Sequence, residues 1–146
     1  MNAIKNEFVI YLNKLKDELF KYNDKADLWK LTGTINNTPG NLAIHVCGNL
    51  KYNIGTMIGG NGYIRKRDYE FTVKELLWDD VIAEIDSTIE MIEPILDKLT
   101  HEDMSKLFPE NIHEPGHTYA TVLAKIAHHF GYHLGQINYH RRLLTE

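Results

Sequence analysis

The sequence predicts an all-α chain folded as a four-helix bundle, on three observations. Four segments carry apolar residues at helical spacings of three and four. Two of them open on helix-start chemistry. No segment alternates apolar and polar residues with conviction, as a half-buried strand would. Two short and two longer connections between the four helices suit a bundle.

The first helix is expected from Asn2 to Tyr22, with Ile4, Phe8, Tyr11, Leu12, Leu15, Leu19 and Tyr22 on its apolar stripe. The second runs from Pro39 to Ile58: Thr38 is an N-cap type and Pro39 suits the first helical position. Its inner stripe is Leu42, His45 (with Val46), Asn49, Tyr52 and Thr56, and Gly59-Gly60-Asn61-Gly62 ends it. Residues 60–71 have room for a short extended piece. Thr72-Val73-Lys74-Glu75 reads as a capping box opening a third helix, with Leu77, Val81, Ile85, Ile89, Ile92 and Leu96 inside. Pro94 should kink that helix or end it early. Thr100 to Asp103 offers a cap for a short turn, and Asn111 to Gly116 is loop. The last helix spans Thr118 to Leu144, with Val122, Ile126, His129, His133, Gln136 or Ile137, and His140 inward.

Length and composition fit one domain over residues 1–146, without repeats or low-complexity tracts. The 146 residues are 43% hydrophobic and 25% charged, ordinary values for a globular chain. A formal charge of −4 argues against nucleic-acid binding, which depends on neutralising phosphates. Arg65, Lys66 and Arg67 form one short basic cluster, followed at once by Asp68 and Glu70, and it reads as a solvated loop. The single Cys47 rules out an intrachain disulfide and fits a reducing compartment. The charged N-terminal segment is neither a signal peptide nor an anchor, and no run is long enough to cross a bilayer, so a cytoplasmic, non-membrane protein is expected.

Chemistry concentrates in the eight histidines. His129 and His133 lie one turn apart on one helix face, within reach of a shared ion. His45 sits on the inner stripe of the second helix and completes three nitrogens if the two helices are neighbours, leaving a fourth position for water. Hydrogen-bonded core histidines are the alternative, and spacing leaves both open. Burying three rings without partners would cost a few kcal/mol, roughly, and an ion removes that cost. His128 falls on a flank. His140 either supports the site or favours the negative end of the helix dipole. His101, His113 and His117 read as solvated, although His117 or Glu114 could reach over the site. Cys47 points away from His45 and reads as a small buried side chain. No nucleophile–base arrangement, phosphate loop or carboxylate-rich di-iron pattern is evident.

The segment Ala127-His128-His129-Phe130-Gly131-Tyr132-His133-Leu134-Gly135-Gln136-Ile137 resembles the H-x-x-x-H-x-G-Q signature of the DinB-like (DinB/YfiT) superfamily, extending through Asn138 to Arg142. Asn41-Leu42-Ala43-Ile44-His45 resembles that family's second-helix motif, and residues 59–71 resemble a subfamily loop of unknown function. The resemblance spans essentially the whole chain. It implies an up-down-down-up four-helix bundle, commonly a homodimer. It also implies one divalent metal ion on His45, His129 and His133, with zinc, nickel, iron and manganese all found among relatives. Characterised relatives use low-molecular-weight thiols, so a metal-dependent thiol S-transferase or hydrolase is one expectation. A metal-binding or ligand-binding protein without turnover, or a dimeric scaffold, is the other. Asn49 and Gln136 could orient a ligand or substrate, and Arg65 and Arg67 could draw in an anionic substrate if their loop folds over the site.

Overall fold

The computed structural model describes residues 2–109 and 115–144. Among these the order is α1 (Asn2–Phe20), α2 (Pro39–Leu50) running on into a π-helical stretch (Lys51–Ile58), α3 (Arg67–Thr72), α4 (Trp78–Lys98) and α5 (Tyr119–Leu144). Short 3-10 turns occupy Lys25–Trp29 and Asp103–Ser105. There is no strand among the described residues, only an isolated bridge between Leu107 and Thr118. The structure is all-helical, compatible with a helical bundle. No helix among the described residues is long and apolar enough to cross a membrane.

The stripe of α1 buries Phe8, Leu12, Leu15 and Leu19 completely. The Lys25 ammonium closes the helix end, donating to the carbonyls of Leu19 (3.3 Å), Phe20 (2.9 Å) and Tyr22 (2.8 Å). Leu19 and Phe20 belong to the last turn of α1, whose carbonyls have no partner inside the helix, and Tyr22 lies just past it. Thr38 caps α2 as expected, its Oγ1 accepting from Asn41 N at 3.1 Å. Almost every residue of α2 is buried, so it runs through the interior rather than presenting one stripe. Gly40 lets the Trp29 ring close on the helix, where a Cβ would lie 2.8 Å from ring carbons.

Three local expectations are corrected. The end of the second helix winds as a π-helix: Gly59 N bonds to Ile54 O, five residues back, at 2.9 Å, and the Asn53 amide donates to Asn49 O at 3.0 Å. Residues 67–72 are helical, not extended, and Thr72 closes α3 instead of capping α4, its hydroxyl donating to Asp68 O at 2.9 Å. The start of α4 is set by Trp78, whose ring meets Phe20 edge-on at 5.0 Å and lies under Lys25, and Leu77 just before it is exposed. Finally, Pro94 does not end α4, which runs on through it to Lys98. Pro94 is exposed, so water can serve the carbonyl that its missing N–H leaves free. The Thr100–Asp103 cap forms, with Thr100 N donating to Asp103 Oδ2 at 2.7 Å.

α1 and α2 each pack against α4 and α5. Along α1 and α5 the contacts rise together, from Tyr11–Phe130 (5.6 Å between centroids) to Glu18–Arg141 (2.9 Å). Along α1 and α4 they run oppositely, with Lys16 on Asp86 (2.6 Å) and Phe20 on Trp78. Buried Lys51 ties the π-helical stretch to Glu84 and Ser87 of α4, both at 2.9 Å. α3 lies across α2, held by the Asn41 amide, which donates to Glu70 O (3.0 Å) and Val73 O (2.7 Å).

Candidate metal centre

α2 carries His45 and α5 carries His129 and His133 into one place between them. One ring nitrogen of each lies within 4.8 Å of the other two. The ring centroids are 5.1 Å apart for His45–His129 and His45–His133, and 4.3 Å for His129–His133. His45 and His133 are buried and His129 is half-buried. The i, i+4 spacing on α5 supplies the pair, and the packing of α2 against α5 supplies the third ring.

The hydrogen bonds assign the ring protons. His45 Nδ1 donates to Glu70 Oε2 at 2.8 Å, so its Nε2 carries the lone pair. That nitrogen is 2.9 Å from His129 Nε2. His133 Nδ1 donates to Gln136 Oε1 at 2.7 Å, while Gln136 Nε2 donates to the Tyr132 hydroxyl at 3.2 Å. His133 Nε2 is therefore a lone-pair acceptor, and it is buried with no hydrogen-bond partner. Leaving such an atom unsatisfied costs about 1–3 kcal/mol. An ion bound by the three imidazoles would satisfy it, so the donor set fits a divalent metal of the zinc type.

The electrostatics favour the neutral form of the two rings on α5. Burial, then the nearby rings of His133 and His45, push His129 down to about 4. Burial also lowers His133, against the opposing pull of its bond to Gln136. Neutral imidazole is the metal-binding form. Glu70 behaves differently. Burial raises its pKa, but hydrogen bonds from His45 and Arg65 outweigh this and hold it below the usual range, hence ionised.

Glu70 was missed by the sequence reading. It lies 25 residues from His45, on a six-residue helix with no readable stripe. Its neighbour Phe71 packs on the His45 ring at 4.6 Å.

The remaining candidates are distributed as follows. Arg65 reaches the site but is engaged by Glu70, through Nε–Oε1 at 2.7 Å and Nη2–Oε2 at 2.8 Å. Arg67 is exposed and stacks on Phe71, its guanidinium carbon 5.3 Å from the ring centroid. Gln136 is exposed and bonded to His133, and Ile137 takes the inward position beside it. Asn49 is half-buried, and no hydrogen bond among the described residues joins its side chain to the three rings. His140 is buried elsewhere, with Nδ1 3.0 Å from the Tyr22 hydroxyl and Nε2 2.9 Å from Lys30 O. His128 is exposed on the flank and His101 in a turn, His117 is half-buried near Lys125, and His113 and Glu114 lie outside the described residues. Cys47 is fully buried, which raises its thiol to about 12.

Over residues 1–146 the sequence matches the family described as "Protein of unknown function (DUF1572)". The chain belongs to this family. The family is part of the DinB-like clan, in line with the resemblance carried by the two histidine motifs. No curated protein matches the chain.

Proposed function

We propose that this member of the family binds one divalent metal ion through His45, His129 and His133, and uses it as the reactive centre of a thiol S-transferase or related hydrolase. The carrying observation is the buried, unpartnered His133 Nε2 facing two other imidazoles whose ring nitrogens lie within 4.8 Å. Three neutral imidazoles suit zinc or nickel first, with iron or manganese also compatible. When bound, such an ion supplies Lewis acidity, lowering the pKa of a coordinated thiol or water. The chain's own residues do the rest. Gln136 orients His133, Glu70 orients His45, and Phe71 covers the His45 ring from the α3 side. Exposed Arg67, stacked on Phe71, and exposed Lys66 beside it are cations available to an anionic substrate.

The bundle is read as four long helices in up-down-down-up order. The parallel contacts of α1 with α5 and the antiparallel contacts of α1 with α4 support that order. A homodimer rests on the resemblance alone, and a cytoplasmic location on the single cysteine.

A second reading, an ion held without turnover, is favoured by the burial of His45 and His133. The neighbouring cavities, about 480 Å³ against Glu70 and about 440 Å³ against Gln136, are lined by these hydrogen-bonded partners rather than by the rings themselves. Two measurements test the readings. Elemental analysis of tag-free protein, purified without chelator, should find a divalent metal. The loaded protein should then conjugate a low-molecular-weight thiol to an electrophile, and His133→Ala should abolish this while leaving much of the helix signal. Absence of metal sinks the first claim; metal without conjugation across a broad thiol panel leaves the second reading.

A further inference from the structure

We propose that Gly48, Arg65 and Glu70 form a clamp that positions His45 for the ion, making the connection between α2 and α4 a working part of the metal centre. This rests on the metal reading above.

Asn41, His45 and Gly48 occupy one face of α2, at the spacing of successive turns. All three engage Glu70. The Asn41 amide donates to its backbone carbonyl at 3.0 Å, and His45 Nδ1 donates to its carboxylate at 2.8 Å. Gly48 makes room for that carboxylate: a Cβ there would collide with Glu70 Oε1 and lie 2.9 Å from Cδ. A glycine inside a helix is unfavourable, and here the missing side chain is the space the carboxylate fills.

The carboxylate itself is 3% exposed and the Arg65 side chain 13%. Together its oxygens receive Arg65 Nε, Arg65 Nη2 and His45 Nδ1. Arg65 Nη2 also stands 3.3 Å from His45 Nδ1; both carry hydrogen, so they are neighbours through the shared carboxylate and not bonded to each other. A loop that only needed pinning would be pinned as well by apolar side chains of similar volume, without desolvating two charges. An ionised carboxylate on imidazole Nδ1 does something apolar packing cannot. It fixes the tautomer, fixes the ring plane and strengthens Nε2 as a donor, and such partners of metal-binding histidines typically change affinity by about 10–100-fold. Arg65 grips both oxygens of that carboxylate and holds them in place.

The test measures zinc affinity by competition with a chromophoric chelator, alongside the visible spectrum of the cobalt-loaded protein. Glu70→Gln keeps the shape and removes the charge. It should weaken zinc by about 10–100-fold and shift the cobalt bands. Gly48→Ala, which displaces the carboxylate, should act in the same direction, and Arg65→Lys, which keeps the charge but loses the two-point grip, should lose less than Glu70→Gln. If Glu70→Gln does not fold, Arg65→Lys and Gly48→Ala carry the measurement. Folded variants with wild-type affinity and wild-type cobalt spectra overturn the clamp while leaving the metal site standing. A wild-type chain that takes up neither ion overturns the metal reading, and the clamp with it.

Discussion

Replacing His133 with leucine separates what the buried ring costs the bare protein from what it contributes with an ion. In the metal-free chain His133 Nε2 is buried without a partner, a penalty of about 1–3 kcal/mol. The substitution removes that penalty together with the Nδ1 bond to Gln136, worth about 1 kcal/mol. Gln136 is exposed, so water can take over its oxygen. The metal-free variant should therefore be at least as stable as the metal-free parent. With zinc the order reverses. An ion at 1,000 times its dissociation constant stabilises the folded state by about 4 kcal/mol. For a chain of this length each kcal/mol moves Tm by about 2–4 °C, so the parent should gain about 8–16 °C. His133→Leu should gain little or none of this. Circular dichroism melts of chelator-stripped protein, with and without zinc, read both numbers. A parent with no zinc shift, or a variant that keeps the full shift, refutes the site. A metal-free variant melting several degrees below the parent refutes the argument about the unpartnered nitrogen.

Tyr22→Phe removes a hydroxyl that bonds Ile137 O at 3.1 Å and His140 Nδ1 at 3.0 Å, all buried. Urea unfolding should show a loss of about 1–3 kcal/mol, while zinc affinity stays as in the parent; a change in affinity would place His140 in the metal site after all. Cys47 should resist a disulfide reagent in the native protein and react fully once denatured, because its thiol is pushed up to about 12; rapid native labelling would contradict the buried assignment. The metal-free protein should lose stability on acidification. His129 is about 4 when folded against an ordinary 6.5 unfolded, so between these values the unfolded chain binds a proton that the folded one refuses. This contribution is fully present above pH 6.5 and falls away as pH drops toward 4. Glu18 and Glu70, both held below the usual carboxylate range, then lose theirs as pH falls through their folded values. Denaturant midpoints that rise between pH 7 and pH 4 would contradict this sign.

What was legible in the sequence was chemistry that acts within a turn or two. Thr38-Pro39 announces the start of α2 because the cap, the N–H that donates to it and the proline lie within four residues. His129 and His133 declare themselves by an i, i+4 spacing, and His45 by its place on the inner stripe of α2, to which the likeness of its segment to a known motif was added. Thr72 shows where local reading fails. Its pattern satisfied a capping rule, yet the hydroxyl bonds backward to Asp68, and the start of α4 is decided by Trp78 meeting Phe20 from another helix. The π-helical stretch was illegible for a similar reason. One extra residue per turn leaves no mark on composition, while Gly55 and Gly59 sit against Met91 and Ile95 of α4.

The basic run Arg65-Lys66-Arg67 carries the same lesson to the site. Read as a run, it was a solvated loop or a landing place for anions. Folded, its members part company. Arg65 turns in and is consumed by Glu70, Lys66 stays exposed, and Arg67 lies on Phe71, which itself lies on His45. A partly buried arginine already paired with a carboxylate has little charge left to offer a substrate. Recruitment of an anion falls to the exposed Lys66 and Arg67, while the work of Arg65 is directed at the carboxylate behind the ring. Charge counted along the chain could not separate these roles, because what divides them is Glu70, and Glu70 finds its place only when α3 folds across Asn41, His45 and Gly48.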